Sequence, residues 1–275
     1  MQKINIGHFI MNIILVLFFF ISILPIYWMW QAAIQPFTMA LTNPFAFPTG
    51  FTLEYLQNAW IDGKMSIYMR NSVFVAIPRV SVVLVFASLA GFSLGKLRWK
   101  GRELVFNLIL VGMMIPINAM LIPLYYSIQR AGLINSLWAM VLPYFGLSMP
   151  FSCFLLRAFY KELPDEMLES AKIDGANKAK IWAFIMLPLT KPALVSLLIF
   201  EFMWSWNDYL IPMLTVYTDK FRTLPIGLMY FQGEYTMNTS LVAAGVTICT
   251  LPIIIVYCIF QRSFVQGITA GAVKG

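Results

Sequence analysis

Six nearly uncharged apolar blocks, each of roughly 20 residues or more, make up most of this chain. Wound as an α-helix, a block of that length crosses a hydrocarbon core of about 30 Å and satisfies its own backbone hydrogen bonds. The blocks run approximately over residues 9–34, 71–95, 104–127, 138–159, 189–212 and 240–262. Only 11% of the residues are charged, against about 25% in a soluble domain. The expected fold class is an all-α integral membrane protein with six transmembrane helices. The first block exceeds the 7 to 15 or so residues of a signal-peptide core, and no small-x-small cleavage site follows it. It is read as a retained anchor.

The charges set the orientation. The net charge is +7. Lys3, the group Lys96, Arg98, Lys100 and Arg102, the segment from Arg157 to Lys191, and the carboxy-terminal tail together hold 13 of the 19 basic residues. Because basic loops stay in the cytoplasm, those segments and both termini are expected there. Dispersed in short loops, the basic residues form no nucleic-acid footprint. Cys153, Cys249 and Cys258 lie within apolar blocks and His8 is the only histidine, so no cysteine or histidine metal site is expected.

Three regions follow: residues 1–70, an anchor span and first outer loop; residues 71–262, a transmembrane core; and residues 263–275, a cytoplasmic tail. The outer segment 35–70 carries an amphipathic patch at Leu53, Leu56 and Trp60, and the outer segment 213–239 is also long. Long loops often have contacts to make. Pro116 and Pro123 are expected to kink the third span. Ala87, Gly91 and Gly95 recur every four residues in the second, a stripe that favours close helix contact.

The most informative segment is cytoplasmic, Glu162 to Leu194. Pro164 opens a helix with acidic residues, Asp165 and Glu166, in its first turn, where they suit the helix dipole. Gly175 ends it. A second amphipathic helix follows, with Ile181, Trp182, Phe184 and Ile185 on its apolar side, and Pro188 and Pro192 mark the start of the next span. Such a helix–glycine–helix elbow is shaped to dock into a soluble partner, although an ordinary interfacial hairpin has the same pattern.

The elbow also resembles the EAA loop of permease subunits in ABC importers: EAA, three residues, Gly, nine residues, Ile, one residue, Leu-Pro. Here it reads Glu169-Ser170-Ala171, then Gly175, then Ile185-Met186-Leu187-Pro188, with Ser170 as the one departure. The segment "IDGA", Ile173 to Ala176 with Asp174, resembles the carbohydrate branch. "NSVFVAI", "MMIPINAMLIPLYY", "WNDYLIPM", "TLPIGLMYF" and "QRSFVQGITAGAVKG" are similar to the six-span member of maltose-type permease pairs. The resemblance implies a coupling loop at about 160–190 that enters a cleft of an ATPase subunit, with Glu169 facing a basic residue there and Gly175 making the turn. Asp174, Ile185, Leu187 and Pro188 belong to the same coupling motif. The loop from Thr215 to Tyr235 would meet a solute-binding protein outside, and the tail from Gln266 to Gly275 would approach the ATPase interface. Implied partners are a second permease, two ATP-binding subunits, the binding protein and lipid. ATP and Mg are expected on those partners, with no cofactor on this chain.

Ionisable groups within spans are rare and often functional. At about 1.5 Å per residue, Arg79 lies about 25 Å along its helix from Lys96, and Asp208 about 25 Å from Lys191. The two are therefore expected to pair or to line the outer part of the path together. Arg79 reaching out to the interface is the alternative. Glu201 falls near the bilayer middle, where an unpaired charge costs at least ~2.5 kcal/mol. It should be protonated, face an aqueous path or find a partner on another subunit. Trp204 to Tyr209, with Trp206, Asn207, Asp208 and Tyr209, offers aromatic faces and polar groups to a sugar, or interfacial anchors. The chain has no GxxxxGK[ST] phosphate loop, so ATP is not bound by that route. An ion-coupled secondary transporter is the alternative function, but no convincing internal repeat supports it. No acid–base or metal constellation suggests a membrane enzyme.

Overall fold

The computed structural model describes residues 6–42, 47, 50–235 and 238–272. Among them every regular element is helical. In chain order they are α1 (Ile6–Ile34), α2 (Phe37–Thr42), α3 (Glu54–Ile61), α4 (Met65–Lys96), α5 (Arg102–Val111), α6 (Ile117–Arg130), α7 (Trp138–Val141) and α8 (Pro143–Glu162). After these come α9 (Glu166–Ile173), α10 (Lys178–Ile181), α11 (Leu187–Leu189), α12 (Lys191–Trp206), α13 (Leu210–Thr215), α14 (Leu224–Glu234) and α15 (Thr239–Ala272). The all-α membrane fold expected from the sequence is therefore the one observed.

Among the described residues, four segments are long and apolar enough to cross a membrane unaided: Ile10–Ile34, Met65–Lys96, Trp138–Glu162 and Thr239–Gln261. Two further candidates are bent. Arg102–Met114 meets Ile117–Arg130 at 97°, and Lys178–Leu189 meets Lys191–Thr215 at 78°. The count reaches six when each bent pair is one span. α4 starts six residues before the expected second span, and α15 continues past residue 262 to Ala272.

The third span is interrupted at one of the two prolines expected to kink it. A 3₁₀ turn, Gly112–Met114, ends the first half, and Ile115 (φ −83°, ψ 115°) and Pro116 (φ −66°, ψ 132°) are both extended. Pro116 has no N–H to continue the ladder and its ring pushes Ile115 out of the helical region, so the helix stops. Pro123 breaks nothing: α6 runs through it.

The chain divides into two compact units, Met1–Ser66 with Gly227–Leu251, and Ile67–Ile226 with Pro252–Gly275. In the first, the Thr52 N–H donates to the Ile34 carbonyl at 2.8 Å, and the Phe37 N–H donates to the Tyr55 hydroxyl at 3.2 Å. Phe231 packs against Gly63 and Gly245, leaving no room for a side chain at Gly63. In α3 the buried residue is Ala59, whereas Leu53 and Trp60 of the expected patch are exposed.

In the second unit the small-residue stripe of α4 seats α8. A Cβ on Gly91 would lie 2.9 Å from the Leu156 Cβ and 3.1 Å from the Arg157 backbone nitrogen. Gly91→Ala is expected to force α4 from α8 and to lower stability by about 1–3 kcal/mol, the usual cost of overpacking. Thermal melting of the detergent-purified protein checks this, and an unchanged midpoint would mean the helices are free to separate.

Candidate coupling and translocation sites

The elbow is built by backbone rules. α9 ends in a Schellman motif: the Ala176 N–H donates to the Ala171 carbonyl at 2.9 Å, and the Gly175 N–H to the Lys172 carbonyl at 3.0 Å. That geometry puts Gly175 at φ +80°, in the left-handed region. A Cβ there would meet nothing within 4 Å, so backbone conformation and not space demands glycine. Asn177 then caps α10, its Oδ1 accepting the Lys180 N–H at 2.9 Å. Between α10 and α11 the chain widens into a π turn, Trp182–Met186. It directly precedes Pro188, which lacks the N–H that would bond the Phe184 carbonyl.

The motif residues divide by burial. Ala171 is buried; Glu169, Ser170, Asp174, Gly175 and Pro188 are exposed; Ile185 and Leu187 are half-buried. Ser170 donates its hydroxyl to the Glu166 carbonyl at 2.8 Å. Leu168, Ala171, Ile181 and Met186 of the elbow share one apolar core with Ala87 and Phe92 of α4, Leu156 and Tyr160 of α8, and Ala193 and Leu197 of α12. Across its outer side runs a groove of about 570 Å³, lined among others by Met167, Ser170, Phe184, Ile185 and Leu189. Phe184, on the apolar side of the second helix, is 78% exposed.

Two ionic clamps hold the root of the elbow. Lys96 donates to the Leu163 carbonyl and contacts Asp165 Oδ1 at 2.6 Å. The hydrogen bond and charge of Lys96 hold the Asp165 carboxyl below the usual aspartate range. The contribution of that clamp is therefore present above the ordinary aspartate pKa and is lost only as pH falls through the lowered value. Arg157 Nη2 reaches both Glu103 oxygens at 2.6 Å, its Nε donates to the Leu94 carbonyl at 3.1 Å, and its guanidinium lies 3.7 Å from the Phe106 ring centre.

The intramembrane charges form a second cluster. The fifth span is interrupted at residues 207–209, between α12 and α13. Arg79 and Asp208, expected to pair or to line the path together, meet here: Nη1 of Arg79 is 3.8 Å from Oδ2 of Asp208. That separation is a charge contact and not a hydrogen bond. A direct side-chain donor to Asp208 is Tyr144, whose hydroxyl lies 2.5 Å from Oδ2 and whose ring centre lies 3.3 Å from the Arg79 guanidinium carbon. Nε and Nη1 of Arg79 make no hydrogen bond in the structure. Glu201 is wholly buried and accepts from Ser148 at 2.8 Å and Ser152 at 3.0 Å. These two serines of α8 supply partners within the chain, a solution absent from the sequence-based alternatives.

A cavity of about 820 Å³ opens at the break in the third span. Its walls include Met113 and Ile115 before the break, Met120 after it, Arg79, Tyr144, Ser148, Phe151 and Trp204. The Phe151 and Trp204 rings meet edge to face at 5.0 Å. Of the aromatic–polar cluster, only Trp204 lines this cavity. Trp206 is buried and stacks on Phe202 at 5.2 Å, Asn207 is exposed and donates to the Met203 carbonyl at 2.9 Å, and Tyr209 is exposed. Sequence reasoning missed Tyr144, Ser148 and Phe151, which nothing distinguishes from other polar or aromatic residues of an apolar block.

The chain is 33% identical over 265 residues to the diacetylchitobiose uptake system permease protein DasC of Streptomyces coelicolor, covering 96% of each chain. It is 32% identical over 260 residues to the arabinooligosaccharides transport system permease protein AraQ of Halalkalibacterium halodurans, covering 93% of this chain and 92% of that one. Its fold matches a chain in the crystal structure of a bacterial ABC transporter involved in the import of the acidic polysaccharide alginate. The TM-score is 0.78 at 22% identity, over 96% of this chain and 98% of that one. Residues 87–270 match the family described as binding-protein-dependent transport system inner membrane component. With its several membrane-spanning helices, this chain belongs to that family, as a multi-pass, non-catalytic permease subunit that works with other transporter subunits and a binding protein.

Proposed function

We propose that this chain is the permease subunit of an ATP-driven importer of a sugar or oligosaccharide. It supplies half of the path and takes its driving motion through the Glu162–Leu194 elbow. The observation that carries this reading is the core the elbow shares with α4, α8 and α12: a push on the elbow moves three spans as one body. Two ATP-binding subunits hydrolyse Mg-ATP, a different permease completes the path, and this chain holds no cofactor of its own. Glu169 and the exposed groove meet an ATP-binding subunit. Six spans then leave both termini in the cytoplasm, with the elbow and its basic neighbours, and the Thr215–Tyr235 segment outside with the binding protein.

The saccharide cargo is supported by the relatives, which are named for uptake of diacetylchitobiose and arabinooligosaccharides. The cavity at the third-span break is the share of the path on this chain, with Phe151 and Trp204 offering ring faces to a sugar. Arg79 is opposed by Asp208, 3.8 Å away, so its positive charge is compensated within the chain and the site suits a neutral saccharide better than an acidic one.

Affinity purification of the tagged chain from its native membrane in mild detergent tests the reading. Recovery of an ATPase with a phosphate loop, a second permease and a binding protein that binds a saccharide is expected. Recovery of the chain alone, or only with itself, would overturn it and leave an ion-coupled carrier to be tested.

A further inference from the structure

Trp182 starts the π turn of the elbow and lies half-buried, with its indole N–H pointing into the membrane domain. That N–H donates to Ser88 Oγ of α4 at 3.0 Å. Ser88 Oγ in turn lies 2.7 Å from the Tyr160 hydroxyl of α8, and Thr190 Oγ1, at the root of α12, lies 3.4 Å from the same hydroxyl. Ser88, Tyr160 and Thr190 are 1%, 0% and 2% exposed. Ser88 is eight residues from Lys96, so the elbow is bonded about 12 Å along α4 from its cytoplasmic end.

Apolar contacts in the shared core are non-directional, so they pass on a push yet leave the register between the helices free. A hydrogen bond does not: it is lost within a few tenths of an ångström of misplacement and leaves buried polar atoms without partners. The elbow therefore meets α4, α8 and α12 at one polar point where slip is penalised.

We propose that Trp182, Ser88 and Tyr160 form a transmission node, positioning residues that keep movement of the elbow in step with movement of the spans. The node rests on the coupling role of the elbow argued above. It explains why an indole, and not merely a large apolar side chain, stands where the elbow enters the spans.

The test uses the complete importer, reconstituted with its partners and binding protein in proteoliposomes. Solute moved per ATP hydrolysed is measured on the assembled fraction, alongside the amount of ATPase recovered with the permease. Trp182→Phe keeps the ring and removes the donor; Ser88→Ala removes the acceptor. Each is expected to leave assembly intact and to lower solute moved per ATP about fivefold, the factor that one net hydrogen bond represents in an equilibrium constant. Because Ser88→Ala already removes the bond to Trp182 along with that to Tyr160, Trp182→Phe/Ser88→Ala is expected to be no worse than Ser88→Ala alone. An unchanged ratio in Trp182→Phe, or losses that multiply in the double variant, would overturn the node. So would a loss that follows ATPase recovery, since that is an assembly defect. Absence of an ATPase from the wild-type complex would instead sink the coupling reading itself.

Discussion

Asp208→Asn is expected to destabilise the permease by about 3–5 kcal/mol, the range found when one partner of a buried ion pair is removed. The size follows from what is left behind. Arg79 is 2% exposed, and two of its three guanidinium-group nitrogens already lack a hydrogen bond. Its positive charge is held by the ring of Tyr144 and by the carboxylate of Asp208. With the Asp208 charge gone, a cation remains in the interior with its counter-charge removed. Arg79→Ala strands Asp208 in the converse way, though the carboxylate keeps the Tyr144 hydroxyl. The double variant Arg79→Ala/Asp208→Asn removes both charges and is expected to be no less stable than either single variant. Melting temperatures of the purified protein decide the matter: strict additivity of the two losses would show that the charges do not interact.

How much of this was legible in the sequence depends on whether a feature is local or tertiary. The turn at Gly175 was legible because a Schellman cap is written in a few adjacent residues. Helix rise put Arg79 and Asp208 at similar depth and so made a pair one of the open readings, while the choice between pairing and a shared path needed the packed spans. The break at Pro116 was not legible as distinct from Pro123. Both follow isoleucine in apolar sequence, and only Pro116 is preceded by a 3₁₀ turn whose Gly112 lies close to Pro150 of α8. The partners of Glu201 were hidden for a similar reason. Ser148 and Ser152 stand one helical turn apart on α8, a spacing that gains meaning only once α8 packs on α12. The cavity-lining Trp204 and the buried Trp206 are two residues apart, and their roles are fixed by which side of α12 each occupies.

Phe184→Ala is expected to weaken association with the ATP-binding subunit about 30- to 700-fold, corresponding to the loss of about 2–4 kcal/mol typical of an aromatic interface anchor. It should leave the melting temperature of the isolated permease nearly unchanged. Phe184 is 78% exposed on the elbow, beside a groove with a largely apolar lining, so truncating it removes little packing within the chain. Ala171 offers the contrast. It is buried among Leu168, Ile181 and Met186 in the core shared with the spans and also edges the groove, so Ala171→Leu is expected to lower stability as well as affinity. Titration of the ATP-binding subunit against the permease in detergent, with melting curves of each variant, separates the two effects. Equal affinity of wild type and Phe184→Ala would remove the groove from the interface. A Phe184→Ala melting loss as large as that of Ala171→Leu would mean that the phenylalanine packs inward. Affinity lost without stability is the outcome that makes the outer side of the elbow a docking surface and its inner side the means of passing motion to the spans.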